Sequence, residues 1–164
     1  MEKIDRELLI KEISARLPYG VKAKVYGWDE EKGEVEIPLR IYSINTDGYA
    51  YFETNDYNVD YLNVDNCLLY LRPLSSMTKE EKKELLCILV GKKAVKHFQV
   101  LSDGSIESTD AKEQNLQNFS FQWINFNVFN TTSYINWLNA HHFDYRNLIK
   151  LGLALPAPEG MYKF

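Results

Sequence analysis

The densest group of side chains able to do chemistry is His141-His142-Phe143-Asp144-Tyr145-Arg146. A histidine and an aspartate this close can form an acid–base pair. Adjacent histidines on a helix point about 100° apart, so they converge on one metal only where a helix ends. The same run also has a structural reading. Asp144 would cap a helix, one histidine would bond a backbone carbonyl, and Arg146 would lie at the surface. The residues by themselves allow both readings. A two-histidine phosphoesterase is excluded: His97, His141 and His142 are followed two places on by Gln99, Phe143 and Asp144, never by Ser or Thr.

Two other runs imitate known sites and then fail. Asp56-Tyr57-Asn58-Val59-Asp60 opens like a calcium loop, but Tyr61 stands where the sharp turn needs glycine and Cys67 where the bidentate glutamate belongs. The loop over 55–66 still offers the flat faces of Tyr57 and Tyr61 beside carboxylates. Gly91-Lys92-Lys93 resembles the end of a phosphate loop, yet position 86 is Leu and the run follows a helix instead of opening one. Lysines past a helix C-terminus are placed to complement its dipole. No G-x-S-x-G, H-E-x-x-H, C-x-x-C or dinucleotide fingerprint occurs. The expectation is no catalytic residue, no cofactor and no catalytic metal.

Composition narrows the class. The 164 residues suit one domain spanning 1–164 with a core of its own. Net charge is −4. Residues 41–78 carry five acids against Arg72 alone, whereas 79–96 carry six lysines against three glutamates. Duplex nucleic acid selects for a basic face, and only the Lys79–Lys96 stretch could supply one, so duplex binding is disfavoured. Cys67 and Cys87 lie inside apolar runs and should be reduced and largely buried. The charged start, MEKIDRELLIKEI, lacks a signal-peptide core, and no apolar run reaches the ~20 residues a bilayer requires. The expected location is cytoplasmic, without membrane contact; homo-oligomerisation stays open.

The elements that must position these groups can be read from periodicity and caps. Leu9, Ile13 and Leu17 predict a helix over 5–17, ended by Pro18-Tyr19-Gly20. Val21, Ala23 and Val25 alternate with polar neighbours, as do Val35, Ile37, Leu39 and Ile41, which predicts two strands around the turn 29–33. Pro38 should face a sheet edge or a bulge. Asn45-Thr46-Asp47-Gly48 is a turn. Strands follow at 49–54 and 67–71. Thr78 and Glu81 form a capping box for a helix to about Val90, with Gly91 at C′. Strands are expected over 94–101 and 119–129, a helix from Thr132 to about His141, and a short one from Asp144 to Gly152. This order lacks strict strand–helix alternation, so the fold class is α+β: a mostly antiparallel sheet with three to four helices packed on it.

Three segments together carry a family resemblance: Leu17-Pro18-Tyr19-Gly20-Val21-Lys22, then Leu71-Arg72-Pro73-Leu74-Ser75-Ser76-Met77-Thr78, then Trp137-Leu138 through His142-Phe143-Asp144-Tyr145-Arg146-Asn147-Leu148-Ile149 and Gly152-Leu153-Ala154. The arrangement resembles a broad family of small proteins carried by phages and prophages of Bacteroidetes. The chain departs from the usual ending at Asn147, Lys150 and Leu151, where a Gly and a Glu-Lys pair commonly stand. The resemblance implies an accessory protein that antagonises host defence by binding, either as a sponge for a nucleotide-derived immune signal or as an inhibitor of a defence protein. The candidate ligand-binding residues are Tyr19, Tyr57, Tyr61, Arg72, Tyr145 and Arg146. Aromatic faces stack bases, arginines pair with phosphate, and these positions fall in loops or at element ends. The alternatives are a nucleic-acid-binding module using Lys79–Lys96 and a hydrolase centred on His142 and Asp144.

Overall fold

A computed structural model describes residues 3–53, 56–57, 59–93, 95–109 and 128–162. They fall into two compact units, Met1–Arg72 with Asn139–Phe164, and Pro73–Leu138. The fold is α+β, as the residue pattern implies: three helices among the described residues, a mostly antiparallel six-stranded sheet and a two-stranded one.

The first unit opens with α1 (Lys3–Arg16) and a 3-10 turn, Leu17–Tyr19. Gly20 follows at φ 75°, a left-handed conformation that glycine adopts without a Cβ penalty. Strands β1 (Lys22–Asp29) and β2 (Gly33–Ile44) form a long hairpin. β3 (Tyr49–Phe52), β4 (Tyr61–Asn63), β5 (Leu68–Leu71) and β8 (Ala154–Pro156) complete the sheet in the order β4-β3-β2-β1-β5-β8. Among the described strand pairings of this sheet, β5–β8 alone is parallel. Along β1 the alternation is strict: Val21, Ala23, Val25 and Gly27 are buried, while Tyr26 and Trp28 are exposed. The buried side meets Leu9 and Ile13 of α1 together with Ile41, Phe52, Leu69 and Leu71, which forms the core.

Pro38 lies in the middle of β2, opposite Lys24 of β1. Ile41 N–H donates to Val21 O, so alternate residues of β2 bond β1 and the Pro38 nitrogen faces the other way. There β3 pairs β2 only between Ile41 and Ile44, with an irregularity between Ile41 and Ser43. The proline thus occupies a local edge, as expected.

The second unit contains α2 (Lys79–Val90) and the small sheet of β6 (Phe98–Val100) and β7 (Ile106–Ser108). The Thr78–Glu81 capping box is complete, and Gly91 N–H closes the helix on Cys87 O at 3.1 Å. Leu85, Leu86 and Leu89 are buried. Helix α3 (Val128–Ala140) starts four residues before Thr132.

The elements differ from expectation in four places. β4 falls inside 55–66, expected as a loop, and β8 stands where no strand is expected. Residues 144–152 form turns instead of a helix: Asn147 takes φ 60°, and its left-handed backbone interrupts helical hydrogen bonding. The strand expected over 119–129 lies outside the described residues up to 127; Val128 and Phe129 belong to α3.

Candidate functional site

The polar run from His142 to Arg146 follows α3 and crosses to the end of β5. Arg72 N–H donates to His142 O and Asp144 N–H donates to Arg72 O, each at 2.8 Å. This bridge brings four of the six candidate residues, Tyr19, Arg72, Tyr145 and Arg146, into one region of the first unit. His142 is 1% exposed, and its Nε2–H donates to the Tyr19 carbonyl at 3.0 Å. A carbonyl can only accept, so the neutral ring carries its proton on Nε2. Burial, joined by nearby Arg16, pushes the His142 pKa down to about 4. The Asp144 carboxylate accepts from Leu148 N–H at 2.8 Å and Ile149 N–H at 2.9 Å, holding the following turn.

The arginines of this region are engaged by the protein itself. Arg72 stacks over the Phe143 ring at 4.3 Å. Arg146 Nε lies 3.0 Å from Oε1 of Glu12, and the guanidiniums of Arg146 and Arg16 lie 5.3 and 5.4 Å from the centre of the Tyr145 ring. Glu12 and Arg16, both wholly buried, form a close ion pair one turn apart on α1. Arg16 also donates to Phe143 O at 2.9 Å. Two positive charges around one buried carboxylate tie α1 to the 143–146 segment. The spacing of Glu12 and Arg16, four residues apart and beside Leu9 and Ile13, is the signal that could have revealed them in the sequence.

Tyr57 and Tyr61 lie elsewhere. Tyr61 stands opposite Tyr51 on the β3–β4 pair and meets Tyr49 edge-on, with centroids 5.7 Å apart in both contacts. Tyr42 adjoins Tyr51 at 6.4 Å, extending the aromatic row onto β2. Tyr57 packs against the β1–β2 hairpin, so close to Gly27 that a Cβ there would lie 2.7 Å from the Tyr57 Cβ. Trp28, Asp29, Glu30, Glu31, Lys32, Asp56 and Tyr57 line an open groove of about 370 Å³ at the hairpin tip.

The solvent-facing side of the sheet holds residues the sequence reading passed over. Tyr26, Trp28 and Tyr42 are 58%, 70% and 58% exposed, beside Tyr61 at 56%. Lys24 pairs with Glu36, and Arg40 with Glu53 at 2.8 Å. Among the described residues no three His, Cys, Asp or Glu side chains converge as metal ligands, and no helix is long and apolar enough to cross a membrane. No family model, no curated protein and no solved structure matches the chain.

Proposed function

We propose that the protein acts by binding, without catalysis, and that its docking surface is the solvent-facing side of the six-stranded sheet. One observation carries the reading: Tyr26, Trp28, Tyr42 and Tyr61 all stand more than half exposed on strands of that sheet. Large exposed aromatics concentrate at protein–protein interfaces and supply most of their hot spots. The basic groups Lys24 and Arg40 on this side are matched by Glu36 and Glu53, a charge balance unlike the basic field that nucleic acid selects. The family resemblance supplies the context: an accessory protein acting in the cytoplasm of a bacterial host, with a host defence protein as its partner. A nucleotide sponge built on Tyr19, Arg72, Tyr145 and Arg146 has less support, since Phe143, Glu12 and Arg16 already occupy its arginines and its tyrosine ring.

The test is site-specific photocrosslinking in host cells, with a photoreactive phenylalanine at Tyr26, Tyr42 or Tyr61 and at Glu7 and Glu159 as controls. A discrete protein adduct confined to the three sheet positions is expected. Adducts at the control positions alone, or a nucleotide retained in native mass spectra without any adduct, would overturn the reading.

A further inference from the structure

The β1–β2 hairpin repeats one side-chain arrangement twice. In the first copy, Tyr26 stands opposite Glu36, and Lys24 completes the unit: its ammonium pairs with the Glu36 carboxylate and sits 5.0 Å over the Tyr26 ring. A cation held between an aromatic face and a carboxylate gains from both. In the second copy, two residues nearer the turn on each strand, Trp28 stands opposite Glu34. The position that corresponds to Lys24 is now Tyr26, which carries no charge. The second ring and carboxylate therefore lack a cation from their own strand, and Trp28 is the most exposed large aromatic described.

The surroundings reinforce this asymmetry. Between Asp29 and Glu36 five acids stand against Lys32 alone, a net charge as large as that of the whole chain. Asp29 is committed to the turn, since its carboxylate accepts from Lys32 N–H at 2.9 Å and Glu31 N–H at 3.0 Å. Glu30, Glu31 and Glu34 are exposed. The adjoining groove, which Trp28, Asp56 and Tyr57 help to line, falls at the lower end of the ~300–1,000 Å³ typical of small-ligand pockets.

We propose that the hairpin tip receives an arginine-bearing protein segment, with the guanidinium stacked on Trp28 and paired with the carboxylates around it. Arginine fits better than lysine because its planar fork stacks on indole and bonds carboxylates in one geometry. This inference rests on the docking-surface reading and adds the chemistry of the partner.

The experiment is a titration of the full chain with an eight-residue peptide alternating Arg and Gly, followed by tryptophan fluorescence and calorimetry. Peptides with Lys or Ser in place of Arg, and free arginine, serve as comparisons. Saturable binding of the Arg peptide is expected, weakened about fivefold or more by Trp28→Ala and by Glu30→Lys with Glu31→Lys, while Glu159→Lys leaves it unchanged. Trp28 is exposed, so unaltered melting temperatures should accompany these losses; Trp28→Phe, which keeps a ring, should retain part of the affinity. Binding that falls equally with Glu159→Lys would reduce the effect to net charge and overturn the proposal. So would free arginine binding as tightly as the peptide. Absence of peptide binding while Tyr42 and Tyr61 still crosslink a partner would overturn the arginine site and leave the docking surface standing.

Discussion

Tyr162 lies flat on His142, with ring centroids 3.8 Å apart and planes 18° from parallel. The stack places the Tyr162 hydroxyl where the β1–β5 ladder ends. It accepts from Lys22 N–H at 3.1 Å and donates to Tyr70 O at 2.8 Å, so one phenol closes the gap between two strands. The C-terminal segment is thereby part of the sheet's hydrogen bonding.

Removing that hydroxyl alone should be costly. Tyr162→Phe keeps the stack but leaves a backbone donor and acceptor unmatched, at about 1–3 kcal/mol. Urea denaturation should register the loss, and hydrogen exchange at the Lys22 amide should quicken. Burial also raises the Tyr162 pKa to about 12. The unfolded phenol ionises near pH 10 while the folded one keeps its proton, so stability should fall between pH 10 and 12. The Phe variant should lose that contribution; an unchanged alkaline profile would count against the bridge.

His142 predicts a slope on the acid side. Its pKa is about 4 when folded and about 6.5 when unfolded, so the unfolded chain binds a proton that the native state refuses. Its contribution is intact above pH 6.5 and is lost as pH falls toward 4, by roughly 3 kcal/mol at most. Denaturation midpoints of wild type and His142→Gln, measured from pH 4 to 8, should converge at the acid end. Parallel curves would refute the assignment.

The Glu12–Arg16 pair should behave as a unit. Glu12→Gln leaves the buried Arg16 charge without its carboxylate, at about 3–5 kcal/mol, whereas Arg16→Met leaves Glu12 paired with Arg146 and should cost less. The double variant should lose far less than the sum. Arg146→Ala, which removes the half-exposed partner, should cost no more than about 1 kcal/mol. A double-mutant cycle by chemical denaturation reads all of these, and strict additivity would show that the two side chains are not coupled.

The cysteines should separate by reactivity. Cys67 is buried and its thiol is pushed up to about 12, chiefly by burial, whereas Cys87 is half-buried. A native thiol titration should therefore label Cys87 first and Cys67 only on unfolding. Labelling at equal rates would contradict the environment described for Cys67.

Local rules were legible in the residues. The Thr78–Glu81 box, the turn closed by Gly48 N–H on Asn45 O at 3.1 Å and the alternation along β1 depend on neighbours a few places apart. The chain states such neighbours directly, so the helices α1 and α2, the central hairpin and the α+β class could be read from it. Short strands could not. β4 and β8 hold three residues each, too few for a period to show, and they exist because Tyr49–Tyr51 and Leu69–Leu71 offer partners to pair with. The site divides in the same way. The sequence marked His142, Asp144, Tyr145 and Arg146 as a polar cluster by proximity alone. Tertiary structure decided what they do, because burial and pairing with Glu12, Arg16 and Tyr19 join residues more than a hundred positions apart. It also decided that Gly27 meets Tyr57. Alternation of Val21, Ala23 and Val25 with polar neighbours assigns Trp28 to the solvent side, but only tertiary packing determines what covers the other face.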